Sequence, residues 1–233
     1  MSFVLASSLR LLHDVSVALL VEERGRVHVG SGLLVRLADG HGGAGRVVVA
    51  TARHNLDGVC GVRAIRVVPR GRYRADPLRV EGFGLGPREG PDVAWIELDR
   101  QEVARRGLEA LHWSYLAADV QPGHQLTVYG FPAGHFRSSS IRGTRFDLLA
   151  AAHAGSPTTC EHRPDDLAVR WSESDVHPRG LSGCGIWAHV AGRPRPVALA
   201  RAWHGGRGLL YCTPIAAWLQ WAGSHPSTRR SNP

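Results

Sequence analysis

A His, an Asp and a Ser, residue types that cooperate in acyl transfer, stand in three short stretches whose surroundings suit them. The stretches are Thr51-Ala52-Arg53-His54, Pro91-Asp92-Val93-Ala94 and Gly180-Leu181-Ser182-Gly183. A serine hydroxyl is a weak nucleophile at its ordinary pKa. It needs a base within hydrogen-bond reach, and the base needs a partner that fixes its tautomer. His54 is the candidate base, Asp92 the candidate orienter and Ser182 the candidate nucleophile. The glycine of the Gly-Leu-Ser-Gly turn lets the backbone N–H groups of Gly180 and Ser182 converge on one point. A developing oxyanion would sit there, and losing one such donor typically costs roughly 2.7–4 kcal/mol of barrier. The chain order is His, Asp, Ser, with spacings of 38 residues (92 − 54) and 90 residues (182 − 92).

The elements that must position these groups read as β-strands. Short Val- and Leu-rich runs, punctuated by Gly, Asp and Pro, recur at 15–21, 26–29, 32–36, 46–50, 64–68, 78–80 and 93–98. Residues 38–45 (ADGHGGAG) read as a long hairpin loop, and 102–118 as a connector with a helical turn. A second strand set follows at 125–129, 141–149, 167–171, 185–188, 197–202 and 209–212. Residues 213–221 have helical spacing, with Thr213 as cap and Pro214 at the first helical position. Residues 224–233 read as a polar tail. The division is an N-terminal β unit over 1–110 carrying His and Asp, and a C-terminal one over 111–223 carrying Ser and ending in the helix.

The 233 residues suffice for a sizeable core, and 28 glycines with 14 prolines suit an all-β chain rich in turns. The formal net charge of +8 is carried by arginine spread along the whole chain, without a basic block or an aromatic-basic motif. That reads as a solvated surface, with no nucleic-acid site. Gly82-Phe83-Gly84-Leu85-Gly86 is glycine-rich, but Pro87 follows it and no helix does, so a nucleotide site is set aside. The histidines lack ligand spacing and the four cysteines form no close pair, so neither metal nor cofactor is expected. Residues 1–20 are interrupted by Arg10, His13 and Asp14 and read as neither an export signal nor a membrane span.

Together these stretches resemble the trypsin-like (chymotrypsin-fold) serine proteases over about residues 15–221. His-Asp-Ser is that family's order. Gly30-Ser31-Gly32-Leu33-Leu34 resembles its Gly-Ser-Gly-Phe strand opening, and Val47 to His54 the strand ending in Thr-Ala-Ala-His. Asp92 to Leu98 resembles its Asp-Ile-Ala-Leu-Leu-Lys-Leu strand, and Val128 to Pro132 the Gly-Tyr/Phe-Pro turn of bacterial members. Gly180 to Gly183 resembles Gly-Asp/Asn-Ser-Gly. The resemblance implies an all-β fold of two six-stranded-type antiparallel barrels with a C-terminal helix. It implies a serine endopeptidase acting on protein or peptide through an acyl-enzyme, without a cofactor. The setting it suggests is a regulated protease of a bacterial defence or signalling system.

The departures from the family keep a second class open. Arg53 replaces a small residue before the His, and Leu181 replaces the Asp or Asn before the Ser. Both favour an inactive or partner-gated protease-fold module, with a regulatory partner protein. Leu181 also removes the carboxylate that pairs with a freed N-terminus in secreted trypsins, so activation by N-terminal trimming is not expected. The family's pocket floor lies six residues before the nucleophile, at Val176 (182 − 6). With no Asp there, cleavage after Lys or Arg is not favoured. His177, Arg201 and Trp203 are the other expected pocket residues, and Asp175 adjoins the floor; the register of the wall strand around Arg201 stays open by one residue. Cys60, Cys160, Cys184 and Cys212 match none of the family's bridges, so free thiols and a cytoplasmic location are expected.

Overall fold

The computed structural model describes residues 3–38, 45–69, 76–116, 120, 124–138, 146–148, 151–159, 167–171 and 177–224. The chain opens with helix α1 (Phe3–Val15). Seven strands follow: β1 (Ser16–Glu23), β2 (Arg26–Leu37), β3 (Arg46–Thr51), β4 (Ile65–Pro69), β5 (Val80–Leu85), β6 (Ala94–Leu98) and β7 (Leu111–His112). Their order is β4-β1-β2-β3-β6-β5, antiparallel throughout, with β7 added in parallel to β2. A bridge from Val67 to Leu78 curls β4 round to the segment that enters β5. Between β6 and β7 lies helix α2 (Arg100–Arg105), capped by Asp99, whose carboxylate accepts from the Glu102 N–H at 3.0 Å.

The second half comprises β8 (Leu126–Gly130), the hairpin β9 (Phe136–Ser138) and β10 (Phe146–Leu148), then β11 (Ala151–Thr159), β12 (Leu167–Arg170), β13 (Gly185–Val190), β14 (Arg193–His204) and β15 (Leu209–Pro214). Six of these close into a barrel in the order β11-β12-β15-β14-β13-β8, with β8 pairing back onto β11. Helix α3 (Ile215–Ser224) ends the described chain. This is the chymotrypsin-like all-β architecture of two curled antiparallel sheets with a C-terminal helix.

Strand alternation explains how the two halves adhere. Successive side chains point to opposite faces, and in β3 both faces are buried. Val47 and Val49 fill the interior of the first barrel with Val17, Leu19 and Leu34. Val48 and Ala50 face the other way, into a core shared with Tyr129, Trp187 and Leu199 of the second barrel. Trp218 of α3 completes this shared core and donates from its indole to the Ala94 carbonyl at 2.8 Å, tying the C-terminal helix to β6.

Two expectations are corrected at the ends of the chain. The strand expected at 15–21 begins at Ser16, because α1 runs through Val15. Leu12 and Val15 are buried in the shared core with Trp218 and Trp221, so tertiary packing stabilises a helix that its own sequence signals weakly. The helix expected at 213–221 begins at Ile215. Thr213 and Pro214 remain in β15, paired with Leu199 and Ala198, and the ladder holds the two residues that would have capped the helix. The expected loop at 38–45 lies outside the described residues except at its ends, as does most of the expected strand at 141–149. Among the described residues no helix is long and apolar enough to cross a membrane. Cys60, Cys184 and Cys212 are thiols; Cys160 lies outside the described residues.

Candidate functional site

His54 stands in a 3-10 turn, Arg53–Asn55, immediately after β3. Asp92 lies in the segment leading into β6, folded back where Gly86 N donates to the Val93 carbonyl at 2.8 Å. Ser182 lies in the tight turn before β13. The first barrel thus carries the imidazole and the carboxylate, and the second carries the hydroxyl.

The structure brings the three together. His54 Nδ1 is 2.6 Å from Asp92 Oδ2, and the His54 backbone N–H donates to Asp92 Oδ1 at 3.0 Å. His54 Nε2 is 2.8 Å from Ser182 Oγ. An ionised carboxylate only accepts, so Nδ1 carries the ring proton and Nε2 is left to accept from the Ser182 hydroxyl. Burial by itself would raise the Asp92 carboxyl. The hydrogen bond from the His54 ring, the His54 charge, the His54 backbone N–H and the Arg201 charge outweigh it and hold the group below its ordinary range. The imidazole is exposed, within reach of a ligand.

The nucleophile turn is clamped from both barrels. Ser31 of β2 donates its backbone N–H to the Ser182 carbonyl at 2.8 Å and its hydroxyl to the Gly180 carbonyl at 2.9 Å. The same hydroxyl accepts from Phe131 N at 2.9 Å. Asn55 Nδ2 donates to the Ser182 carbonyl and to Thr51 Oγ1, and Thr51 donates to the Ser31 carbonyl. Gly180 and Gly183 have φ of +91° and +83°, and a Cβ at Gly183 would meet Thr51 Oγ1 at 2.1 Å. Only glycine fits there. The backbone N–H groups of Gly180 and Ser182 donate to no acceptor among the described residues.

The sequence motifs include Ser31 in the Gly-Ser-Gly opening but give Ser31, Thr51 and Asn55 no part in the site. Their signal was adjacency to the motifs. Ser31 and Asn55 find partners in the other barrel, and Thr51 holds both of them, which no local pattern discloses.

Both departures have structural explanations. Arg53 turns away from the imidazole: its Nε donates to Asp57 Oδ1 at 3.1 Å and its Nη1 to the Gly86 carbonyl. Leu181 is buried in the core of the second barrel beside Cys184 and Ile186, which anchors the turn.

Of the expected pocket residues, Val176 and its neighbour Asp175 lie outside the described residues. His177 and Trp203 meet, with ring centroids 5.1 Å apart in a T-shaped contact, and both are exposed. Arg201 sits at a bulge in β14, where the register slips between Ala200 and Ala202. It lines a cavity with His54 and Asp92, and its carbonyl oxygen is 3.3 Å from Ser182 Oγ. Among the described residues, no three His, Cys, Asp or Glu side chains are grouped to hold a metal ion.

No family model matches the sequence, and no curated protein does. Solved structures do match, 462 chains of them. One is the crystal structure of AL20, a thermostable serine protease from an extremophilic microorganism. It has a TM-score of 0.59 and 13% identity, and the match covers 91% of this chain and 99% of that one. At that identity the likeness is one of fold.

Proposed function

We propose that the protein is a serine endopeptidase that hydrolyses peptide bonds through Ser182, His54 and Asp92. The observation that carries this reading is the single imidazole joined at both nitrogens, to a carboxylate at 2.6 Å and to a hydroxyl at 2.8 Å. Ser182 Oγ attacks the peptide carbonyl as His54 Nε2 takes its proton, and Asp92 stabilises the resulting imidazolium. The oxyanion forms against the N–H groups of Gly180 and Ser182. Collapse expels the amine, which receives the proton from His54. Water, activated by the same imidazole, then releases the acyl group from Ser182. These steps need only the side chains named and water.

A gated or inactive module rested on Arg53 and Leu181. Arg53 is engaged with Asp57, and Leu181 is a core residue, so neither opposes a working site. A regulated peptidase of a bacterial defence or signalling system, acting on protein in the cytoplasm under a regulatory partner, is the setting the sequence resemblance implies. A fluorophosphonate probe should label the native protein and leave Ser182→Ala unlabelled, and a proteome-derived peptide library should be cut by the native protein alone. Equal labelling of both proteins would sink the assignment.

A further inference from the structure

We propose that Arg53 is a positioning residue for the proton transfer: its guanidinium fastens the turn that carries His54 to the loop that carries Asp92. The inference rests on the peptidase reading above. It adds to that reading a residue that acts through the His54–Asp92 pair.

The loop needs a fastener. Residues 86–93 connect β5 to β6 and include Asp92. Gly86 and Val93 are buried at the base of the loop, while residues 87–90 are exposed. The Gly86 N–H closes the base on the Val93 carbonyl at 2.8 Å. A Cβ at Gly86 would meet Val93 Cγ2 and the Val93 carbonyl oxygen at 2.7 Å, so the two sides of the base lie in direct contact. This closure sets the shape of the loop, but not where the loop sits relative to His54. The Gly86 carbonyl accepts from Arg53 Nη1. Gly86 thus holds the loop together with its N–H and holds the loop to the His54 turn with its carbonyl.

The guanidinium is fixed at its other side within the His54 turn. Arg53 Nε donates to Asp57 Oδ1 at 3.1 Å, and the Arg53 carbonyl accepts from Leu56 N at 2.8 Å. The Arg53 side chain is 13% exposed, against 54% for Asp57. An ion pair with one partner this open adds little stability, so its consequence is one of aim: Asp57 holds Nε, and Nη1 points at Gly86. The arrangement needs a planar fork. An ammonium group is a single point charge on a flexible stem and does not reproduce it. The small residue that the family places before its histidine supplies neither contact. Asp92 meets His54 Nδ1 at 2.6 Å and the His54 N–H at 3.0 Å. Both bonds require loop and turn in register, and a displaced carboxylate no longer fixes the tautomer of the ring. Arg53 supplies a third tie, made outside the proton path.

The test uses the full chain, the fluorophosphonate probe and a peptide that the native protein cuts. Arg53→Lys keeps the charge and loses the fork. It should lower kcat about tenfold, equivalent to about 1.4 kcal/mol of barrier. KM should stay within about twofold, since the lost contact does not touch substrate. Labelling of Ser182 should slow to match. The proton resonance of His54 Nδ1–H, carried downfield by its bond to Asp92, should broaden as the pair loosens. Asp57→Ala frees Nε but leaves the Gly86 carbonyl in place, and should cost about threefold in kcat. Asp57 is exposed, so this variant keeps the fold even where Arg53→Lys does not. Arg106 forms a comparable clip from α2 to the Pro77 carbonyl and the Glu102 carboxylate. Arg106→Lys is therefore the structural control, expected to lower Tm and leave kcat native. Native kcat in Asp57→Ala or in folded Arg53→Lys, or an equal loss of kcat in Arg106→Lys, overturns this inference and leaves the peptidase reading standing. Absence of both labelling and cleavage in the native protein overturns the two together.

Discussion

Asn55 donates from Nδ2 to the carbonyl oxygen of Ser182 at 2.8 Å, so the residue after the imidazole grips the residue that bears the hydroxyl. The contact crosses from one barrel to the other. It ties the two ends of the proposed proton transfer into one rigid unit, and such positioning governs rate. Asn55→Ala should lower kcat about tenfold with KM nearly unchanged. It should destabilise the fold by about 1 kcal/mol, or about 2–4 °C in Tm for a chain of this size. Asn55→Asp keeps the shape but loses the donor, and should do no better. Native labelling rate and native Tm in both variants would show the contact to be idle.

The Asp92 carboxyl is held below its ordinary range, which links folding to pH. In the unfolded chain such a group titrates near about 3.9. The folded state keeps it ionised to lower pH, so its stabilising contribution is complete above about pH 4–5 and disappears as pH falls through the folded value. Asp92→Asn should therefore be less stable than the native protein at neutral pH, and the difference should shrink on acidification toward pH 2. Denaturant titrations at a series of pH values check this. A gap that widens on acidification would contradict the ionised Asp92–His54 pair.

Gly183→Ala should be among the most damaging small substitutions in the chain. A left-handed backbone costs a non-glycine residue roughly 1–2 kcal/mol, and here the added methyl also meets Thr51 Oγ1 at 2.1 Å and the Ser31 carbonyl at 2.3 Å. The turn must shift, and Ser182 with it. Fluorophosphonate labelling should fall at least about tenfold even where the variant still folds by circular dichroism. Native labelling would mean that the clamp tolerates displacement.

The thiols should separate by burial. Cys60 is exposed, while Cys184 and Cys212 are buried. Burial pushes the Cys184 thiol well above its ordinary range, and a thiol held protonated does not react. Under native conditions a thiol reagent should modify Cys60 quickly, and Cys184 and Cys212 only after denaturation. Mass spectrometry of digested protein distinguishes them. Rapid native modification of Cys184 would contradict the packing around Leu181.

Strand periodicity and motif order made much of this molecule legible in advance. The Val-rich run 47–50 ends at His54, and Asp92 precedes an alternating segment. Gly180 and Gly183 flank the serine. In each case a local chemical need selects a local residue type. The two-barrel class is what the resemblance of these motifs implies, and two strand sets separated by a connector fit it.

Other features depended on contacts distant in sequence. The uninterrupted apolar run Val47 to Ala50 marks a strand buried on both faces, but does not say which face meets the second barrel. Helix α1 carries weak signals of its own and is held by Trp218 and Trp221 from the far end of the chain. Ser31 reads as one small polar residue between two glycines, and becomes a clamp only when Gly180 and Phe131 are brought to it. Arg53 reads as a cation beside the imidazole until Asp57 and Gly86 take up its guanidinium. The position of Arg201 depends on a bulge in β14, where the register slips between Ala200 and Ala202, and the residue lines a cavity with His54 and Asp92. The sequence by itself determined which groups are candidates for the proposed chemistry, since reactivity belongs to residue type. Tertiary structure decided where those groups point and what holds them, because orientation and hydrogen bonding depend on residues that meet only when the barrels close.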